Sequence, residues 1–297
     1  MRGVLIGLGL MGVALQLAAP APAAEPSLQS MTVGSREYKL FVPPRPGPKP
    51  LVIVLHGGGG NGAQVARSAG LVEKAAKEGF VLALPEGTAR LGKLQTWNAG
   101  GCCAYAMRQG IDDVGFIRAL IDAEVASGRA DPKRIYVAGM SNGGMMTHRI
   151  AIALGDRIAA ATVFVGSLFG DEAKPVAPVP MLIVNAANDE DVPIEGGIGS
   201  KTVRGAQSAP FKPARYAATW WASADGCRVN PTRSETADYV RELWSDCAKG
   251  SAVDFYIVKD AEHGWPGGTI GRPGVTRSTG RVNGTDLMWA FFAAHHR

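Results

Sequence analysis

Arg134-Ile135-Tyr136-Val137-Ala138-Gly139-Met140-Ser141-Asn142-Gly143-Gly144 is the stretch that decides the fold. It opens as a short β-rich run of the kind that forms a strand buried on both faces. From 145 to 154 the pattern turns helical and carries Ile150, Ala151 and Leu154. Between the two lies Gly139-Met140-Ser141-Asn142-Gly143, a G-x-S-x-G at a strand-to-helix junction. Its glycines remove side chains that would clash in a sharp turn, and the turn lifts the Ser141 hydroxyl above the sheet edge. The helix start behind it offers unpaired backbone N–H groups and the positive end of a dipole. The alternative is an ordinary Gly-Ser turn.

Similar short runs recur outward from this junction, at 38–42, 51–55, 80–84, 160–165, 181–184 and 253–258. Helical patterns lie between them at 63–77 and 113–125, and another closes the chain at 285–295. Strand–helix alternation predicts an α/β fold, a doubly wound, mostly parallel sheet with helices on both faces, in one domain. The irregular stretches 86–110 and 195–210 read as insertions or lids.

The first 23 residues read as an address. Met1-Arg2 is followed by an apolar run to Ala19, and Ala21 and Ala23 fit an A-x-A cleavage site. The run falls short of a membrane span of about 20 residues and is punctuated by Gly7, Gly9 and Gly12. The expectation is a signal peptide at 1–23, a single domain at 24–297, and an exported protein, extracellular or periplasmic, with no stable membrane anchor. Gly7-Leu8-Gly9-Leu10-Met11-Gly12 also matches G-x-G-x-x-G, but Pro20 and Pro22 break the βαβ unit a dinucleotide would need.

The chain has 297 residues, 46% of them hydrophobic and 19% charged, which excludes disorder as its main state. The net charge of +5 comes from scattered residues without a basic block, so a nucleic-acid groove is not outlined.

A nucleophilic serine needs a base. Of five histidines, His148 falls inside the helix after Ser141, His295 and His296 end the last helix, and His56 precedes a glycine cluster. His263 lies in a loop after the last strand, which makes it the base. The acid should follow a strand between the two, and Asn188-Asp189-Glu190-Asp191 does; spacing leaves Asp189 and Asp191 both open. The oxyanion needs donors: the N–H of Asn142, and Gly57 or Gly58 of His56-Gly57-Gly58-Gly59-Gly60. Gly57, Gly59 and Gly62 also spell G-x-G-x-x-G, a reading that leaves Ser141 and His263 unexplained. Trp97 and Trp265 are candidate substrate-stacking residues, with packing of their loops as the alternative.

Four cysteines in an exported chain suggest pairing. Cys227 and Cys247, flanking a helix-and-turn region, are expected to bridge. Cys102 and Cys103 either join each other or pair elsewhere, and without C-x-x-C a redox role lacks its usual motif.

Taken together the motifs resemble the secreted polyhydroxybutyrate depolymerase and feruloyl esterase group of α/β-hydrolases. The resemblance rests on His56-Gly57-Gly58-Gly59, Trp97-Asn98 with Gly101-Cys102-Cys103, Asp112-Asp113-Val114-Gly115-Phe116, Gly139-Met140-Ser141-Asn142-Gly143-Gly144, Val192-Pro193 with Gly196-Gly197, and His263-Gly264-Trp265-Pro266-Gly267, from about residue 35 to the end. It implies ester hydrolysis through a Ser-His-Asp triad, with no metal and no organic cofactor. The substrate class is hydroxyalkanoate oligomer or polymer, or a feruloylated or acetylated saccharide. It places the acid three residues before Val192-Pro193, at Asp189, although Asn185-Ala186-Ala187 stands where the family has His-Gly-Thr. A non-catalytic binding protein on the same scaffold would lack a triad member, and none is missing.

Overall fold

The structure, a computed structural model, describes residues 3, 27–227, 230–269 and 279–297. The segment read as a signal peptide lies, apart from Gly3, outside the described residues. Ten strands form one sheet: β1 Gln29–Val33, β2 Arg36–Phe41, β3 Lys49–Leu55, β4 Val81–Pro85, β5 Ala130–Met140, β6 Ala160–Phe164, β7 Met181–Ala186, β8 Thr232–Glu235, β9 Tyr239–Trp244 and β10 Val253–Val258. Eight α-helices accompany them: α1 Gly62–Ser68, α2 Leu71–Glu78, α3 Ala104–Arg108, α4 Asp113–Ala126, α5 Asn142–Leu154, α6 Lys201–Arg204, α7 Ala214–Ala224 and α8 Gly284–Ala293.

The strand order is β1-β2-β4-β3-β5-β6-β7-β10-β9-β8. The run from β4 to β10 is parallel, and antiparallel pairs extend it at both edges. The pleat sorts side chains to opposite faces. Leu51, Ile53 and Leu55 of β3 pack with Phe116, Ile117 and Leu120 of α4, Met146 and Ile150 of α5, and Trp221 of α7. Val52 and Val54 face the other way, onto Val65 of α1, Leu71 and Ala75 of α2, and Met288 and Phe292 of α8. Each buried Val, Leu, Ile, Met or Phe side chain among them contributes about 1.5–3 kcal/mol of transfer free energy. Asn61, Asp112 and Asn283 cap α1, α4 and α8 through side-chain oxygens that accept from Gln64, Gly115 and Asp286 N–H.

The expected doubly wound sheet is therefore present, with two corrections. The single helix expected over 63–77 is two helices, because Gly70 takes a left-handed φ of 59° and turns the chain between them. Among the described residues between Cys227 and Cys247 there is no α-helix; the segment holds the β8–β9 hairpin, whose partner is β10. Cys227 and Cys247 are bridged as expected, and Cys102 joins Cys103.

Candidate active site

Ser141 sits at the tip of the β5–α5 turn with φ 57° and ψ −124°. A non-glycine residue pays a strain cost of order 1–3 kcal/mol there, so the surroundings must hold it. They do so by close packing. A Cβ at Gly139 would run into the Gly143 backbone, and one at Gly143 would run into the carbonyls of Leu55 and His56. Ser141 N–H donates to the Phe164 carbonyl at 2.9 Å, and its own carbonyl accepts from Met145 N–H at 2.9 Å.

The other two members of the relay come from the ends of neighbouring parallel strands. β7 and β10 pair in register through Ala186 and Val258, so the loops that leave them emerge side by side. Ala187 N–H donates to the Val258 carbonyl at 2.9 Å and Asn188 N–H to the Ala261 carbonyl at 3.0 Å, lacing the loops together. Asp189 is buried. Its Oδ1 accepts from the N–H groups of Asp191 (2.9 Å) and Val192 (2.8 Å), and its Oδ2 lies 2.7 Å from His263 Nδ1. His263 Nε2 lies 2.9 Å from Ser141 Oγ. Asp191 instead accepts from the Ser200 hydroxyl. Of the two carboxylates left open by spacing, Asp189 is the one the structure brings to His263. Asn185, at the first position of the divergent turn, is buried and donates to the Gly166 carbonyl at 3.1 Å.

The glycine loop closes over this junction. A Cβ on Gly57 would lie 3.5 Å from Ser141 Cβ, and one on Gly58 would lie 3.6 Å from Asn142 Cβ. Asn142 opens α5, so its N–H has no partner within the helix. Gly57, Gly58 and Asn142 thus lie around Ser141. Leu94, 70% exposed, stands over Gly59, where its Cδ2 would meet an added Cβ at 3.5 Å.

The remaining histidines have other work. His56 Nε2 accepts from Gly87 N–H at 3.0 Å, which leaves the proton on Nδ1 to donate to the Gly57 carbonyl at 2.8 Å. Burial pushes its pKa down to about 4, so it stays neutral and braces the glycine loop. His148 is buried within α5, accepts from Trp221 Nε1–H at 3.0 Å, and is held down to about 3 by the same desolvation.

Trp97 and Trp265 require correction as substrate-stacking residues. Trp97 is 0% exposed and Trp265 2% exposed, so neither offers a ring face to a ligand. Trp265 packs on Phe164 at a centroid distance of 4.3 Å and donates to Thr285 Oγ1, which fastens the His263 loop to α8. Trp97 Nε1–H donates to the His56 carbonyl at 2.9 Å. The sequence reading missed the Asn142 side chain, which pairs with both main-chain groups of Trp97. The Trp97-Asn98 motif was the available signal. Among the described residues no cluster of three His, Cys, Asp or Glu side chains is placed to hold a metal ion. A hollow of about 430 Å³ beside Arg67, Lys74 and Asp286 lies behind the His263 loop, and no triad residue lines it.

A family model described as "Esterase PHB depolymerase" matches residues 36–207. The chain is 31% identical over 227 residues to feruloyl esterase B of Piromyces equi, covering 75% of this chain and 41% of that protein, so it spans about two fifths of that relative's length. It is 30% identical over 265 residues to a protein named as an esterase, NocK, of Nocardia uniformis subsp. tsuyamanensis, covering 83% of this chain and 76% of that one. Among solved structures, an acetyl xylan esterase from Aspergillus awamori superposes with a TM-score of 0.62 at 17% identity, over 90% of this chain and 99% of that one, a likeness of fold.

Proposed function

The chain belongs to the esterase PHB depolymerase family of α/β-hydrolases, and from that premise we propose that it is a serine carboxylesterase working through Ser141, His263 and Asp189. The observation that carries the reading is the continuous relay, 2.9 Å from Ser141 Oγ to His263 Nε2 and 2.7 Å from His263 Nδ1 to Asp189 Oδ2, at a strained strand-to-helix turn.

Ser141 Oγ attacks the ester carbonyl carbon while His263 Nε2 takes its proton. Asp189 accepts from Nδ1–H, which keeps Nε2 free as the base and stabilises the imidazolium. The carbonyl π pair moves onto oxygen, and the N–H groups of Asn142 and of Gly57 or Gly58 hold that oxyanion. Its collapse expels the alcohol, which leaves with the proton from His263. Water then attacks the acyl-Ser141 ester, His263 takes the water's proton, and the acid departs as Ser141 regains a hydrogen.

The substrate class is a hydroxyalkanoate oligomer or polymer, supported by the family match. A second reading, a feruloylated or acetylated saccharide, is favoured by the 31% identity to a feruloyl esterase. The action is that of one domain, 24–297, exported after removal of 1–23. Support for export comes from the apolar leader pattern and the two disulfides; no described helix is long and apolar enough to cross a membrane.

Purified protein assayed side by side on 3-hydroxybutyrate oligomers, polymer film, methyl ferulate and acetylated xylan separates the substrates. Ser141→Ala is expected to abolish turnover and fluorophosphonate labelling with the melting curve retained. Unchanged turnover in that variant overturns the mechanism. The N-terminal sequence of secreted material tests the cleavage site.

A further inference from the structure

We propose that Trp97 and the side chain of Asn142 are positioning residues that lock the two halves of the oxyanion hole to each other. The inference rests on the reading of Ser141 as nucleophile. The donors come from separate elements, the glycine loop after β3 and the start of α5, and nothing in either segment alone sets the distance between them.

Trp97 touches both halves. Its main-chain N–H donates to Asn142 Oδ1 at 2.7 Å, and its carbonyl accepts from Asn142 Nδ2 at 3.0 Å. This two-bond clamp admits one orientation of the amide and fixes the residue whose N–H is a donor. Its indole Nε1–H donates to the His56 carbonyl at 2.9 Å. That carbonyl belongs to the same peptide unit as Gly57 N–H. In a trans peptide the C=O and N–H point in opposite directions. Pulling the His56 oxygen toward Trp97 therefore fixes the Gly57 N–H on the opposite side of that peptide, and Gly57 itself sits beside the nucleophile, where an added Cβ would lie 3.5 Å from Ser141 Cβ. Trp97, Asn142 and His56 are all essentially buried, so water does not compete for these bonds.

Trp97 is held in turn. Cys103 N–H donates to its carbonyl at 3.2 Å, and Ala99 N–H to the Cys102 carbonyl at 2.6 Å. Asn98 N–H donates to Asp113 Oδ2 at 2.8 Å, while Arg36 pairs with Asp113 Oδ1 at 3.0 Å. The Trp97-Asn98, Cys102-Cys103 and Asp113 motifs, which the triad leaves unexplained, converge on this one brace.

The test is kinetic and uses the full-length protein. Asn142→Ala keeps the backbone donor and removes the clamp; Trp97→Phe keeps the clamp and removes the pull on His56. Both are expected to lower kcat on the order of 10–100-fold, short of the 10²–10³-fold that losing a donor costs. KM should stay within about threefold. Affinity for an alkyl boronic acid, which forms a tetrahedral adduct on Ser141, should fall by the same factor as kcat. Trp221→Phe removes an equally buried indole N–H, bonded to His148, and serves as the packing control with kcat within about twofold. If Asn142→Ala does not fold, Trp97→Phe carries the same comparison. Folded variants with kcat and boronate affinity within twofold of the parent overturn the proposal, as does an equal loss in Trp221→Phe. Turnover that persists in Ser141→Ala would instead remove the mechanism on which the proposal rests.

Discussion

The nucleophile turn and the acid–base loops solve the same problem, holding a side chain still, by opposite means. At 139–144 the backbone is wedged into the sheet edge, and steric exclusion leaves glycine as the only residue at 139 and 143. At 187–192 and 260–269 the chain lies beyond the strand ends, and main-chain hydrogen bonds do the holding: Ala187 to Val258, Asn188 to Ala261, Thr269 N–H to the Ser68 carbonyl at 2.8 Å. Main-chain bonds of that kind do not depend on side-chain identity. Ala187 is held in that way, whereas Asn185, still within β7, is held through its side chain by the Gly166 carbonyl.

The contrast is sharpest in catalysis at the acid loop. Asp189→Asn is expected to cost on the order of 10⁴-fold in kcat by releasing the His263 tautomer, whereas Asp191→Asn, which reaches Ser200 and not His263, should cost less than about tenfold. Steady-state rates on a short-chain ester decide it, and the reverse order would transfer the role to Asp191.

Stability breaks the comparison from the other side. Gly143→Ala should cost about 3 kcal/mol or more, because the obstructing atoms are backbone carbonyls that cannot move aside. Gly264→Ala, beside His263, meets among the described residues only the Thr279 methyl, at 3.0 Å, and should melt within a few degrees of the parent. Similar melting of the two variants would show that the serine turn is not sterically imposed.

Next in size is the hairpin bridge. It closes a span of 20 residues, and Cys227→Ser with Cys247→Ser should cost about 3 kcal/mol in the chain-entropy account. The β8–β9 hairpin pairs with β10, which leads into the His263 loop, so activity should be lost on warming before it is lost in the cold. Thermal inactivation of the double variant measures this, and Ser141 labelling should survive at low temperature.

The smallest effect is on the pH dependence of stability. His56 and His148 are buried and depressed to about 4 and 3, so below their ordinary value of 6.5 the unfolded chain binds protons the folded chain does not. Their contribution is present at neutral pH and is lost as pH falls from about 6.5 to about 4 for His56 and to about 3 for His148. Asp225 runs the other way: burial raises it to about 6, although Ser251 and Val179 N–H donate to it. Between pH 4 and 6 the folded chain binds its proton and the unfolded chain does not, which partly offsets the histidines. Asp225→Asn should therefore steepen the acid loss, read as urea midpoints from pH 4 to 7. A shallower slope would contradict this assignment.

The apolar runs in the interior of the sheet were legible because strands covered on both faces must be apolar throughout. Two of the missed strands lie at the margins. β8 is exposed along its length, and β1 offers the core only Met31 and Val33, too short a stripe to stand out. The break at Gly70 was invisible to periodicity because α1 and α2 keep their apolar positions on one side. An indole in a loop motif suits a ligand or a core equally well by composition, and only packing decided that Trp97 and Trp265 face inward.

By itself the sequence determined the sheet's apolar strands and the serine turn, and it singled out His263 and the glycine loop as candidates, because local sterics and periodicity leave marks on single segments. The tertiary structure brought Asp189, to which the family resemblance pointed and spacing did not, against His263; it alone decided that a hairpin lies between Cys227 and Cys247 and that Trp97 ties Asn142 to His56. Each of those depends on which strands and loops lie side by side. That adjacency is set by the summed burial of the core and by backbone pairing, and no residue records it in its own neighbourhood along the chain.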